Sequence, residues 1–145
     1  MNNTLLLVED NDQDEKLTLR ALRKAGVVNP ILVLRDGQQA LDHLFGEGAC
    51  AGQSPPEPPV VVILDLSLPR VSGLEVLERI RAHPRTRLLP VVILTSSDEE
   101  RDRLKSYENG ANAFVRKPVD FAQFAQTVIR IGVFWALTNE PPPRG

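Results

Sequence analysis

The sequence has little of what extracellular, membrane-spanning or nucleic-acid-binding proteins need. Its 145 residues include one cysteine, Cys50, which excludes an internal disulfide and a zinc site built on cysteines. The formal net charge of −2 lacks the basic excess with which nucleic-acid-binding domains attract phosphates. No apolar run approaches the ~18 residues that span a bilayer, and no signal peptide is recognisable. We therefore expect a cytoplasmic protein with no nucleic-acid or membrane partner.

What is present suits one globular domain, with 42% hydrophobic and 25% charged residues. Short apolar segments alternate five times with amphipathic segments, a pattern typical of an α/β protein with a parallel sheet. We predict one domain over residues 1–138 and a flexible tail over 139–145. The predicted strands are 4–8, 30–34, 60–65, 91–95 and 113–115, and the predicted helices are 12–25, 37–45, 72–83, one from 98, and 120–135.

The first predicted helix begins with a recognisable capping pattern. Asp12 is followed three residues later by Glu15, as in a capping box, so we predict Asp12 as the N-cap. Leu17, Ala21 and Ala25 recur at four-residue steps. This spacing predicts that they form the buried face of the helix.

Polar residues occur where four of the predicted strands end. Glu9 and Asp10 follow the first strand, Asp65 and Thr95 end the third and fourth, and Lys117 follows the fifth. Taken singly, such residues more often cap helices or face solvent. Ligands of open α/β sheets bind beyond the carboxyl ends of the strands, so we expect all five side chains to converge. Carboxylates, a hydroxyl and an ammonium group together suit a hard divalent cation and a phosphoryl group.

Four short motifs surround these residues. They are Leu7-Val8-Glu9-Asp10-Asn11, the ten residues from Leu64 to Gly73, Leu94-Thr95-Ser96-Ser97, and Lys117-Pro118. In this order and at these spacings, the chain resembles the receiver domains of two-component response regulators over essentially its whole length. The resemblance implies a flavodoxin-like (βα)5 doubly wound parallel sheet with strand order 2-1-3-4-5. It also implies a cis peptide bond between Lys117 and Pro118.

The resemblance implies a role for each residue of the site. Asp65 is the expected phosphoryl acceptor, while the Thr95 hydroxyl and the Lys117 ammonium contact the phosphoryl oxygens. Mg²⁺ is the expected cofactor. We assign Asp10, Asp65 and the backbone carbonyl of Ser67 as its direct ligands, and Glu9 as an outer ligand through water.

The implied function is that of a single-domain response regulator, a signalling module rather than an enzyme. It would accept a phosphoryl group from a sensor histidine kinase and signal through protein contacts. The Pro-rich stretch 47–59 and the pair Phe134-Trp135 resemble regulators that work with phytochrome-type histidine kinases. We therefore expect a kinase of that type as the partner.

The predicted fifth helix is apolar on two sides. A helix of this kind is buried on both sides, so we predict a homodimer through helix 4, strand 5 and helix 5. A monomer with some exposed apolar residues is the alternative. The two apolar stripes are Phe121, Phe124, Val128, Ile131 and Trp135, and Ala125, Ile129 and Gly132.

Three other functions fit the sequence less well. A phosphatase of the haloacid-dehalogenase type uses an aspartate nucleophile, but it needs a second acid where this chain has Ser67. A flavodoxin-like cofactor carrier needs a phosphate-binding loop rich in Gly, Ser and Thr after the first strand, and none is present. A degenerate pseudo-receiver is disfavoured because every residue of the site is retained.

The two histidines and one arginine cluster are assigned no function. His43 and His83 have no partner at metal-ligand spacing, so we expect them at the surface. We interpret Arg81, Arg85 and Arg87 as a solvated rim.

Overall fold

The chain folds around a five-stranded parallel sheet. A computed structural model describes residues 3–96 and 110–130. The strands are β1 (Leu5–Val8), β2 (Ile31–Leu34), β3 (Val61–Asp65), β4 (Val91–Thr95) and β5 (Ala113–Arg116). They stand in the order β2-β1-β3-β4-β5, which confirms the predicted order.

Helices connect the strands. They are α1 (Asp12–Lys24), α2 (Gly37–Phe45), α3 (Gly73–Ala82) and a last helix, Phe121–Arg130. Every described end of a strand or helix lies within one residue of its prediction. The predicted helix from residue 98 and the continuation of the last helix to 135 lie outside the described residues. Within the described ranges, no helix is long and apolar enough to cross a membrane.

The hydrophobic core lies on both faces of the sheet. Because alternate side chains of a strand point to opposite faces, β1 contributes to two separate clusters. Leu6 packs in one cluster with α2 and α3, including Ile80. Leu7 packs in the other with Leu22 of α1 and Phe124 of the last helix. Helices thus cover both faces, and the doubly wound α/β prediction is confirmed.

The start and the buried face of α1 differ from their predictions. Asn11, rather than Asp12, is the N-cap, and its side chain accepts a hydrogen bond from the Asp14 N–H at 2.9 Å. Leu17 is 40% exposed, whereas Thr18, Ala21 and Leu22 are buried. At 3.6 residues per turn, Leu17 lies about 90° around the helix from the centre of those three, so it falls on the flank.

The long connection between α2 and β3 is tied back to the helices. It contains one turn of 3₁₀ helix, Gly48–Cys50. The buried Asp42 carboxylate accepts a hydrogen bond from the Ala49 N–H at 3.3 Å. The Arg85 guanidinium donates to the carbonyl oxygen of Pro56 at 2.6 Å. These contacts give the Pro-rich stretch a definite place beside α2 and α3.

The two histidines are partly exposed and partly buried, so they lie at the surface as predicted but also contribute to packing. Burial lowers the pKa of His43. The His83 ring lies 5.1 Å from the Phe45 ring, centroid to centroid, and its Nδ1 accepts the Arg85 N–H at 3.1 Å. Both residues take part in packing beside the Pro-rich connection.

Arg81 connects three segments of backbone. Its guanidinium donates to the carbonyl oxygens of Arg87 at 3.1 Å, Leu89 at 2.7 Å and Gly110 at 2.5 Å, and to Asn112 Oδ1 at 2.8 Å. The interpretation of Arg81 as part of a solvated rim is therefore wrong. The side chain holds the end of α3 against the segments that precede β4 and β5.

Replacing Arg81 tests this connection. Arg81→Ala removes the guanidinium from three backbone carbonyl oxygens and from Asn112 Oδ1, which keeps only the Val91 N–H, so we expect it to lower the free energy of unfolding by about 1–3 kcal/mol. Arg87→Ala, which removes an exposed guanidinium nearby, is the control and is expected to change it by less than about 0.5 kcal/mol. Urea unfolding measures both. Equal effects of the two substitutions would contradict the structural role of Arg81.

Candidate functional site

Three carboxylates meet at the carboxyl edge of the sheet. Val8 of β1 pairs with Leu64 of β3, so the residues that follow β1 lie beside Asp65. Glu9 is fully buried, Asp65 is 4% exposed, and Asp10 is exposed. One carboxylate oxygen from each of the three lies within 4.8 Å of the others. Oxygen donors grouped in this way suit a hard divalent cation.

Lys117 extends into this group from the end of β5. Its Nζ lies 2.8 Å from Glu9 Oε1, 3.0 Å from Asp14 Oδ2 and 3.2 Å from Asp65 Oδ2. Its backbone N–H donates to the Thr95 carbonyl oxygen at 2.8 Å. The side chain is 11% exposed, so the ammonium pairs with the carboxylates largely away from water. The Lys117–Pro118 peptide bond is cis, as the resemblance implies.

The loop after β3 turns tightly around the Asp65 backbone. The Ser67 N–H donates to Asp65 Oδ1 at 3.3 Å, and the Gly73 N–H donates to the Leu66 carbonyl oxygen at 3.1 Å. A Cβ added at Gly73 would lie 2.3 Å from the Asp65 carbonyl oxygen, a distance that no side chain tolerates. Glycine at the start of α3 thus lets the helix approach the site. Ser72 caps that helix by accepting the Glu75 N–H.

Burial and like charge act on the central carboxylate. Burial and the charge of Glu9 raise the pKa of Asp65 to about 7, although Lys117 and the Ser67 N–H act in the opposite direction. Burial lowers the pKa of Lys117, but its hydrogen bonds to Glu9 and Asp14 and the nearby charges outweigh this. The net pKa lies above the ordinary value for a lysine. The ammonium therefore stays charged, whereas the Asp65 carboxyl group takes up a proton more readily than an ordinary aspartate.

Most of the predicted site residues converge. Glu9, Asp10, Asp65 and Lys117 meet at one edge of the sheet. Thr95 is buried at the end of β4, the strand that pairs with the strand of Asp65. Its carbonyl oxygen accepts a hydrogen bond from the Lys117 N–H. The loop residue Ser67 contacts Asp65 through its own N–H, and its side chain is exposed.

Asp14 is the residue that the sequence prediction missed. It stands three residues after the Asn11 cap, where a carboxylate normally bonds back to the N–H of the cap. Here that N–H donates to Glu9 Oε2 at 3.2 Å, and Asp14 instead pairs with Lys117. A capping pattern read from Asn11 would have marked Asp14, but not its partner 103 positions away.

Residues 5–129 match the family model described as the response regulator receiver domain. The chain belongs to this family. It is 41% identical over 139 residues to the probable methanogenesis regulatory protein FilR2 of Methanothrix harundinacea, with 95% of this chain and 86% of that protein covered. It is 34% identical over 138 residues to the response regulator Rcp1 of Synechocystis, with 95% and 92% covered.

Solved structures of response regulators have the same fold. The bacteriophytochrome response regulator AtBRR is 51% identical, with a TM-score of 0.84 and coverage of 97% of this chain and 99% of that one. The Mn²⁺-bound form of Rcp1 is 33% identical, with a TM-score of 0.69 and 97% and 99% covered. The phosphorylated cyanobacterial phytochrome response regulator RcpA is 35% identical, with a TM-score of 0.70 and 99% and 100% covered.

These relatives place the receiver among the response regulators of two-component signalling, and they resemble those associated with phytochromes. The sequence prediction of the family is confirmed. The phosphatase of the haloacid-dehalogenase type is not supported by the match. The acidic cluster and the Mn²⁺-bound relative agree on a divalent-metal site in this family.

The raised pKa of Asp65 predicts how stability depends on pH when no metal is bound. With a pKa of about 7 in the folded protein and an ordinary value of 3.8, Asp65 keeps a proton on folding that the unfolded chain releases between these values. The free energy of unfolding should therefore fall as the pH rises through this window, by at most about 1.4 kcal/mol per pH unit, and level off above it.

Urea unfolding of the wild type and Asp65→Asn between about pH 5 and pH 8 measures this dependence. Because the side-chain amide of the variant cannot titrate, the difference between the two proteins isolates the Asp65 carboxyl group. Millimolar Mg²⁺ should reduce the difference, since a cation favours the ionised form. A difference that stays constant over the whole range would contradict the raised pKa.

Proposed function

We propose that Asp65 accepts a phosphoryl group from a sensor histidine kinase in a Mg²⁺-dependent reaction, and that the phosphorylated protein signals through protein contacts. The observation that carries this proposal is the position of the Lys117 ammonium, 3.2 Å from Asp65 Oδ2 beside a buried Glu9. A phosphoryl group on Asp65 brings about −1.5 to −2 charge next to a cation already in place.

The donor set fits Mg²⁺. Asp10, Asp65 and the Ser67 backbone carbonyl would hold the ion directly, and Glu9 would act through a water molecule. The raised pKa of Asp65 supports this fit, because carboxylates this close repel one another without a cation. When bound, the ion would neutralise charge on the transferring group and lower the cost of bringing two anions together.

In the transfer of the phosphoryl group, the protein mainly positions the reacting atoms and stabilises charge. An Asp65 carboxylate oxygen attacks the phosphorus of a phosphohistidine, and a P–O bond forms as the P–N bond breaks. The electron pair of that bond stays on the imidazole nitrogen, which takes up a proton. Lys117 and the Thr95 hydroxyl stabilise the phosphoryl oxygens, so the chain contributes a nucleophile and fixed donors rather than turnover of a substrate. On this proposal the protein is a signalling module and not an enzyme.

The similarity to phytochrome-associated regulators supports a phytochrome-type histidine kinase as the donor. We place the reaction in the cytoplasm, where the ATP that charges such kinases is found. We also propose that the receiver domain comprises residues 1–138, beyond the matched 5–129, and that 139–145 form a tail.

Phosphorylation by a small donor tests the acceptor. We expect acetyl phosphate with Mg²⁺ to add one phosphoryl group to the wild type and none to Asp65→Asn, because an amide cannot form the acyl phosphate. Intact-mass spectrometry measures the addition. Asp10→Asn is the matched control: it retains the acceptor but loses a metal ligand, so we expect slower labelling rather than none. Equal labelling of the wild type and Asp65→Asn would overturn the assignment.

The homodimer stays a prediction, because helix 4 and the last helix beyond residue 130 lie outside the described part of the chain. The two apolar stripes of the last helix support it, and Trp135→Glu would place a charge in the interface. We expect the wild type to sediment as a dimer at tens of micromolar and Trp135→Glu to shift toward monomer. Asp12→Asn, a change at the exposed start of α1, is the control. A monomeric wild type at that concentration would contradict the prediction.

A further inference from the structure

The Lys117 ammonium has three N–H donors, and three carboxylates lie around it. Its Nζ is 2.8 Å from Glu9, 3.0 Å from Asp14 and 3.2 Å from Asp65. A phosphoryl group on Asp65 brings oxygens that need one of these donors. The donor that faces Asp65 can pass to this group, and the remaining phosphoryl oxygens then compete with Glu9 and Asp14 for the other two donors.

The three carboxylates differ in how readily they can turn to water. Glu9 has a side chain that is 0% exposed, so losing Lys117 would leave a buried charge without its cation. Asp65 carries the phosphoryl group itself. The Asp14 side chain is 30% exposed, so its carboxylate can be hydrated when it leaves Lys117. Asp14 is thus the partner that costs least to displace.

The hydrogen bonds at the start of α1 direct Asp14 toward the lysine. The Asp14 N–H is held by the Asn11 side chain at 2.9 Å, which fixes the backbone of this turn. The Asn11 N–H, the usual partner of a carboxylate at this position, donates to Glu9. The next acid, Glu15, pairs with Arg35 at 2.6 Å. The Asp14 carboxylate is thereby left to pair with Lys117.

We propose that Asp14 is a positioning residue that holds Lys117 in the unphosphorylated protein and competes with the phosphoryl group for the ammonium. This proposal rests on the proposed function of Asp65. The charge of Asp14 opposes phosphoryl binding in two ways. It occupies one N–H donor of Lys117, and it repels an incoming anion. Its removal should therefore favour the phosphoryl-bound state.

Binding of beryllofluoride, a phosphoryl mimic, in the presence of Mg²⁺ tests the proposal. We expect Asp14→Asn to bind it about five-fold more tightly than the wild type, the size of effect that a partly exposed ion pair supplies. We expect Asp14→Glu, which keeps the charge, to bind close to the wild type. Titration followed by amide NMR measures the affinities and reports whether each variant is folded. Asp14→Ser serves as a second neutral variant.

Asp12→Asn is the matched control. Asp12 stands in the same first helical turn and loses the same formal charge, but it pairs with Arg35 at 2.7 Å rather than with Lys117. Tighter binding by the neutral Asp14 variants than by Asp12→Asn supports the proposal, and equal or weaker binding overturns it. If the wild type neither binds beryllofluoride nor is labelled by acetyl phosphate, the proposed function of Asp65 fails, and the role of Asp14 fails with it.

Discussion

The site depends on one electrostatic constraint: two buried carboxylates, Glu9 and Asp65, must share a region that also excludes most water. Like charges at this distance are unfavourable unless a cation or a proton lies between them. The fold supplies one permanent cation, the Lys117 ammonium, from the end of β5. Because the sheet order places β1 beside β3 and β4 beside β5, three distant segments are brought to the same edge. The carboxylates carry more negative charge than this one ammonium neutralises, and this excess makes the binding of a divalent cation favourable there.

The apolar core keeps this unfavourable arrangement in place. The strands β1, β3 and β4 are buried along their whole length, with helices on both faces of the sheet. Their interior residues cannot shift without exposing apolar surface, so the polar residues at their ends are held where they repel. Side-chain hydrogen bonds secure the loops in turn, as Arg81 does between α3 and β5. The free energy gained by burying the apolar core thus offsets the electrostatic repulsion between the carboxylates of the site.

Asp14 is a third carboxylate partner of the Lys117 ammonium, and it is the most exposed of the three carboxylates that contact that lysine. In the structure the lysine is fully engaged before any phosphoryl group arrives, so phosphorylation exchanges one partner of the ammonium for another. The free energy of the exchange depends on the exposed carboxylate rather than on the buried ones. A residue outside the family motifs can therefore adjust how readily the site is filled while the acceptor and the lysine stay unchanged. The helix that carries Asp14 packs on the sheet through Leu22, which fixes the position of its first turn.

The alternation of apolar runs and helical patterns determined the α/β class and placed the ends of the strands and α-helices to within one residue, because strand and helix periods are local properties of the sequence. The motifs at the strand ends predicted that Glu9, Asp10, Asp65, Thr95 and Lys117 converge, and the structure brings Glu9, Asp10, Asp65 and Lys117 together. Local patterns could not decide which cap or face α1 would use, since Asn11 and Asp12 are both good caps and Leu17 differs from Leu22 only by its angle around the helix. Nor could they pair Asp14 with Lys117 or direct Arg81 to Gly110 and Asn112, because these contacts join segments that meet only after the sheet has formed.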